Sequence, residues 1–170
     1  PGLPSLAVMT RGALQVLGRA PQGFFMMVEG GAVDWMAHAN NTGRIIEEQI
    51  DFNHAVQAAV DWVDAHSNWR ETLIIVATDH GNGLPLGPES DRLPFQPVQN
   101  RGAGVLPGVL WHHGNHTREN TLLWAPGAGA ETLVDEVQAV DPALVQRLGH
   151  GKDGRTIGND GLGRALMRLV

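Results

Sequence analysis

Residues 42–66 form the longest periodic stretch of the chain, and they lie between two short, uninterrupted apolar runs. That order constrains the fold more than any other feature. Ile45, Ile46, Ile50, Val56, Val60 and Val63 recur at helical spacing, while Glu47, Glu48, Asp61 and Asp64 fall outside the stripe, so one amphipathic helix is predicted over Thr42–His66. The flanking runs, Gly23–Val28 and Thr72–Thr78, have no polar alternation. Such runs suit strands covered on both faces, as in parallel sheets, with the long helix as the crossover between them. An α/β class follows.

Both runs end in residues able to bind metal. Val28 leads into Glu29-Gly30-Gly31-Ala32-Val33-Asp34-Trp35-Met36-Ala37-His38, and Ile75-Val76-Ala77 leads into Thr78-Asp79-His80. Asp34 and His38 are four apart, so on a helix their side chains leave the same face and can close on one ion. In open α/β sheets the crevice beyond the carboxyl ends of the strands is where ligands bind, which would place both clusters in one cleft. A further histidine, His116, stands in Gly114-Asn115-His116-Thr117, just before the apolar segment Thr121–Ala125. The chain has no cysteine and eight histidines, so imidazole and carboxylate are the available ligands for a transition metal.

Glu-Gly-Gly-x-x-Asp-x-x-x-His, then Thr-Asp-His, then Gly-x-His-Thr, in that order and at comparable separations, resembles the metal-ligand set of alkaline phosphatases. The likeness runs from the helix around Met9-Thr10-Arg11 to that around Asp160–Gly163. It implies a three-layer α/β/α sandwich, here partial, as one domain over residues 1–170. It also implies phosphate monoester hydrolysis through a phosphoserine. By the same resemblance, Asp34, His38 and His116 would hold a first zinc, Asp79 and His80 a second, and Glu29 would serve a magnesium ion. Two metal ions roughly 4 Å apart suit this reaction because negative charge develops on both the attacking and leaving oxygens. The family's serine nucleophile, its metal-bridging aspartate and its phosphate-clamping arginine match nothing in these residues. The chain, which opens on Pro1, is therefore read as the C-terminal part of such an enzyme, inactive by itself, with no catalytic nucleophile of its own. Periplasmic or extracellular location and a homodimer are implied by the family alone. A phosphodiesterase, a phosphomutase and a non-catalytic zinc-binding homologue are the rival readings.

Charge narrows the partners. Twelve Lys and Arg stand against 18 Asp and Glu, a net charge of -6, which leaves no basic stripe for a nucleic-acid backbone but allows a small phosphorylated substrate. No stretch approaches the ~20 apolar residues that span a bilayer. Ser5 is expected to cap a first helix (Leu6, Met9, Ala13, Leu14, Val16, Leu17) that stops before Pro21. Residues 81–107, rich in Gly, Pro, Asn and Ser, read as a long loop over the site. Short helices are expected over Glu131–Gln138 and Pro142–Leu148, and a closing helix over Asp160–Val170 with Leu162, Leu166 and Leu169 inward. Several other residues are read as structural. His112 and His113 belong to the loop surface or stand behind the ligands, and His54 and His66 lie on the long helix. Trp35 is expected to pack. His150 sits in Gly149–Lys152, which lacks the Gly-Lys-Ser/Thr and preceding strand of a phosphate loop.

Overall fold

The computed structural model describes residues 2–148 and 153–169. In chain order the elements are α1 (Leu6–Leu17), α2 (Gly31–His38), α3 (Thr42–His66), β1 (Val76–Ala77), β2 (Gly81–Asn82), β3 (Pro85–Leu86), β4 (Leu110–Trp111), β5 (His116–Thr117), β6 (Leu123–Trp124), a 3-10 helix (Ala130–Glu136), β7 (Val137–Val140), α4 (Pro142–Leu148), β8 (Arg155–Ile157) and α5 (Asn159–Met167). They fall into two compact units, Pro1–His66 with His80–Thr121, and Ser67–Asp79 with Leu122–Val170. His150 and its neighbours lie outside the described residues.

In the first unit α1 and α2 both pack on α3. The Ser5 hydroxyl accepts the Val8 amide at 3.3 Å and caps α1, as expected. The Asp51 carboxylate on α3 accepts the Leu6 amide at 3.2 Å, placing negative charge at the positive end of α1. Buried Thr10 donates its hydroxyl to the Leu6 carbonyl at 2.8 Å, so no polar group is orphaned on that face. The buried side chains are small: Ala7 and Leu14 on α1, Ala37 on α2, and Ala55, Ala58 and Val63 on α3. The long helix spans Thr42–His66 as expected, and its buried face follows the predicted stripe in part: Val63 is buried and Ile45, Val56 and Val60 are half-buried, while Ile46 and Ile50 are exposed and Ala55 and Ala58 join the contact. Small residues let helix axes approach more closely than the isoleucines would allow.

Between α2 and α3 the chain reverses with little slack. Asn40 adopts a left-handed conformation (φ 51), while the Asn40 amide donates to Ala37 O at 2.9 Å and the Asn41 amide to Met36 O at 2.9 Å, a Schellman ending directly after His38. The Asn41 side chain then accepts the Arg44 amide at 3.0 Å and caps α3.

The predicted strand over Gly23–Val28 is not paired, and no strand of the described residues runs beside it. Its exposure alternates instead: Phe25 and Met27 are 63% and 80% exposed, whereas Phe24 sets its ring edge-on to Trp62 at 5.7 Å. One face is covered, not the two expected of a parallel strand. All pairings among the described residues are antiparallel and short. The predicted loop 81–107 is likewise partly ordered by pairing, since β2 joins β5 and β3 joins β4.

In the second unit β1 pairs with β6, and the pairing extends outward through Ile74 N to Pro126 O at 3.1 Å and Ala128 N to Thr72 O at 3.0 Å. Gly127 makes this possible with φ +115, where a Cβ would lie 2.0 Å from the Thr72 carbonyl oxygen. The expected helix over Glu131–Gln138 is a 3-10 helix that ends at Glu136 and passes into β7. The closing helix α5 buries Gly161 and Ala165, with Leu162 and Leu166 half-buried and Leu169 exposed. Glu136, only 8% exposed, explains that face: Arg164 Nε donates to its Oε2 at 2.9 Å and Arg168 Nη1 reaches its Oε1 at 2.7 Å. Arg164 also pairs with Asp160.

Leu14 is 4% exposed, so Leu14→Ala should destabilise the protein by about 2–5 kcal/mol, read by chemical denaturation. The arginines give a pH dependence. Hydrogen bonds from Arg168, then Arg164, hold the Glu136 carboxyl below its ordinary 4.5, and Arg164 holds Asp160 below its ordinary 3.8. Carboxyls lowered in the folded state stabilise it above their unfolded values and lose that contribution as pH falls through the folded ones. Thermal unfolding followed from neutral pH downward should therefore show a falling midpoint below about pH 4.5, and Glu136→Gln should flatten that part of the curve.

Candidate metal centre

Helix α2 positions two of the candidate ligands. Asp34 lies in its first turn and His38 in its last, where the carboxylate and the imidazole each suit the local end of the helix dipole. The four-residue spacing brings His38 Nε2 to 3.3 Å from Asp34 Oδ2. His116 arrives from β5, whose antiparallel register sets His116 opposite Asn82 of β2. Its Nε2 stands 3.2 Å from His38 Nε2 and 3.6 Å from Asp34 Oδ1.

The loop carrying His116 is held by one glycine. Gly83 accepts the His112 and His113 amides at 3.1 and 3.0 Å and donates its own amide to Asn115 O at 3.1 Å. It has φ +74, and a Cβ there would fall 2.5 Å from the Trp111 ring; any other residue would be strained and would clash. Trp111 is fixed in turn by its indole N–H donating to Thr42 Oγ1 at 2.9 Å. The same loop turns Gly114 O toward His38 Nδ1 at 3.0 Å. A carbonyl can only accept, so Nδ1 donates to it, and Nε2 is the nitrogen turned toward His116 and Asp34. This is how metal-ligating histidines are ordinarily oriented.

One nitrogen or oxygen each from Asp34, His38 and His116 lies within 4.8 Å of the others, the sole such group of three found among the described residues. His38 Nε2 lies 3.2 Å from His116 Nε2 and 3.3 Å from Asp34 Oδ2, close to the roughly 3.3 Å edge of a tetrahedron built on ~2.0–2.1 Å metal–ligand bonds, while His116 Nε2 lies 3.6 Å from the other carboxylate oxygen, Oδ1. Two imidazoles and a carboxylate so spaced fit a divalent cation that accepts nitrogen and oxygen together.

Asn82 stands behind Asp34. Its Nδ2 donates to Asp34 Oδ1 at 2.7 Å and reaches the Asp34 carbonyl at 3.4 Å, while its own Oδ1 is buried with no hydrogen-bond partner. Leaving such an acceptor unmet costs about 1–3 kcal/mol. Turning the amide over would set oxygen against carboxylate, so the orientation is fixed by Asp34. The neighbouring Thr117 Oγ1 is buried and unpartnered as well.

The other sequence-singled residues are placed differently. His80 stacks on His116 with ring centroids 3.6 Å apart, and its Nδ1 lies 3.1 Å from Gly81 O. Asp79 belongs to the second unit, where its carbonyl accepts the Asn159 side chain at 3.1 Å. Glu29 is exposed ahead of α2 and is not among the three converging ligands. His112 contacts the buried Ser90 hydroxyl at 2.6 Å and His113 reaches Asn115 O at 3.1 Å, so both serve the loop. His54 and His66 are exposed on α3. Trp35 is 69% exposed, contrary to the packing expected of it. Asn82, Gly83 and the Gly114 carbonyl were missed from sequence. Only Asn82 carried a signal there, standing two residues after His80 on an extended segment and hence on the same side.

The sequence profile described as "Alkaline phosphatase" matches residues 2–104. The chain belongs to the alkaline phosphatase family. It is similar to the streptomycin-6-phosphate phosphatase of Streptomyces griseus, 33% identical over 149 residues that make up 82% of this chain and 32% of that protein. It is also similar to the alkaline phosphatase of Escherichia coli K12, 35% identical over 148 residues, 82% of this chain and 30% of the enzyme. Among solved structures, the alkaline phosphatase of the Antarctic bacterium TAB5 superposes with a TM-score of 0.59 at 30% identity, covering 75% of this chain and 35% of that one. A TAB5 variant with magnesium bound in its M3 site superposes at 0.58 with 30% identity, over 75% of this chain and 36% of its own. The chain therefore spans about a third of the length of these alkaline phosphatases, and its fold is alkaline-phosphatase-like over three quarters of its residues.

His116→Ala in the full-length protein should release about one bound divalent ion per chain, read by equilibrium dialysis and elemental analysis. His113→Ala should release none, because His113 lies outside the converging set.

Proposed function

We propose that the chain supplies metal ligands to a phosphate monoester hydrolase that works with two zinc ions and one magnesium ion. The convergence of Asp34, His38 and His116 carries this reading, because two imidazoles and a carboxylate brought within 4.8 Å of one another suit a divalent ion. Asp34, His38 and His116 would hold the first zinc. Asp79 and His80, adjacent in sequence, would hold the second, and Glu29 would serve magnesium, an ion that favours carboxylate and water oxygens. Bound at this site, zinc would offer charge stabilisation to a phosphoryl group and lower the pKa of a coordinated water to about 7.

The chain's own residues then have distinct tasks. Asp34 contributes negative charge that offsets the ion, and His38, locked by the Gly114 carbonyl, keeps one nitrogen available without rotating. His80, stacked against His116, restrains that ring from swinging out of the set. A serine outside these 170 residues would provide the nucleophile, in keeping with the third of its relatives' length that the chain spans.

Small phosphomonoesters are the substrate class. The net charge of -6 disfavours nucleic-acid backbones, and one relative is named for a phosphorylated small molecule, streptomycin 6-phosphate. Periplasmic or extracellular location and homodimer formation are proposed on family grounds. No helix among the described residues is long and apolar enough to cross a membrane.

The full-length protein should hydrolyse a chromogenic phosphomonoester at least tenfold or so faster than the matching diester. Chelation should reduce turnover to about a hundredth or less, with zinc restoring it. Diester preference would favour the phosphodiesterase reading, and metal binding without turnover would favour the non-catalytic one.

A further inference from the structure

We propose that Asn82–Gly83 is a latent self-modification site: the folded protein blocks deamidation of Asn82, while opening of β2 releases the reaction and leaves the His116 loop unable to re-form. Of the nine asparagines in the chain, Asn82 alone precedes glycine. The reaction needs only water. The Gly83 backbone nitrogen attacks Asn82 Cγ, the Cγ–Nδ2 bond breaks, the Gly83 amide proton passes by way of solvent to the departing nitrogen, and ammonia leaves. Water then opens the cyclic imide to aspartate or to isoaspartate, in which the main chain runs through the former side-chain carboxyl. Glycine favours the attack because no Cβ crowds its nitrogen.

Several features of the fold oppose that attack. Asn82 lies in β2, paired opposite His116 of β5, and cyclisation requires this extended backbone to turn until the Gly83 nitrogen meets the Asn82 side chain. The attacking nitrogen is already engaged, since the Gly83 amide donates to Asn115 O at 3.1 Å. The leaving nitrogen is held as well, with Nδ2 donating to Asp34 Oδ1 at 2.7 Å. Negative charge in the tetrahedral intermediate would fall on Asn82 Oδ1, which is buried and meets no donor among the described residues. Where enzymes supply one such donor it is worth roughly 10²–10³ in rate, so its lack here is a brake. The unmet acceptor that costs the fold stability also denies the reaction its transition state.

Opening the β2–β5 pairing removes these restraints together and admits water to the amide. The isoaspartyl product does not fit back. It inserts one more main-chain carbon directly before Gly83, the residue whose backbone bonds hold the segment 112–115 and whose φ of +74 leaves no room for displacement against the Trp111 ring. The register that sets Asn82 opposite His116 is then lost, and with it the convergence of Asp34, His38 and His116. That last consequence rests on reading those three residues as metal ligands; the deamidation itself does not.

The full-length protein would be aged in one mildly alkaline buffer, folded in one sample and unfolded by urea in the other. Peptide mass mapping reads the mass gain at residue 82, and enzymatic methylation reads isoaspartate. Conversion at residue 82 should be at least about tenfold faster in urea than in the folded protein, and faster than at any other asparagine. In Asn82→Gln, where a larger ring would have to form, the urea signal at this position should vanish. Aged and unaged wild type would then be refolded with zinc, and the isoaspartyl fraction should fail to regain the ion that His116→Ala releases. Equal conversion in the folded and unfolded samples, or none in urea, would overturn the proposal. Full recovery of that ion by the isoaspartyl fraction would overturn the effect on the His116 loop. A wild type whose zinc content is indifferent to His116→Ala would overturn the metal reading alone, because conversion at residue 82 is measured by mass.

Discussion

The three backbone hydrogen bonds of Gly83 are the constraint on which the candidate metal centre depends. Its amide and carbonyl hold three residues of the segment 112–115, and that segment sets both the position of His116 and the carbonyl that orients His38. The Trp111 ring lies where a side chain would have to go. A site made of one helix turn and one strand end is thus tied together by backbone bonds. Backbone bonds of this kind cannot be reassigned by side-chain rotation, so the imidazoles arrive at fixed separations.

Much of this arrangement could be read from the chain before any coordinates. The 3.6-residue period over 42–66 marked the long helix to its ends, and Ser5 marked the start of α1 through its capping hydroxyl. Asp34 and His38 were legible because helical spacing alone puts them on one face. His116 could be named only from the order of three motifs resembling those of a known family, since nothing local distinguishes it from His112 and His113. What separates them is long-range: the register of β5 on β2 and the turn at Gly83.

The misread elements share a physical cause. Apolar runs such as Gly23–Val28 state that a segment prefers cover, without stating from where. Here Phe24 finds Trp62 on one side while Phe25 and Met27 face outward. On α3 the predicted stripe holds at Val63, but Ile46 and Ile50 face outward and Ala55 and Ala58 are buried in their place, where close approach to a neighbouring helix favours small side chains. Around Glu136, a local periodicity suited to α-helix gave way to a tighter turn, where the carboxylate meets Arg164 of α5 and Arg168 at that helix's C-terminal cap. No single-segment pattern records such a partner.

The two asparagines between α2 and α3 carry a consequence for how this region can vary. Asn40 terminates one helix and Asn41 initiates the next with no intervening residue, so the distance along the chain from His38 to the body of α3 is fixed. An added or deleted residue there would rotate α3 by about 100° against its neighbours or pull His38 off its carbonyl. Segments free to change length lie elsewhere, for example around Gly102 and Gly104, which face open space. This three-residue link between two helices therefore has little room to drift.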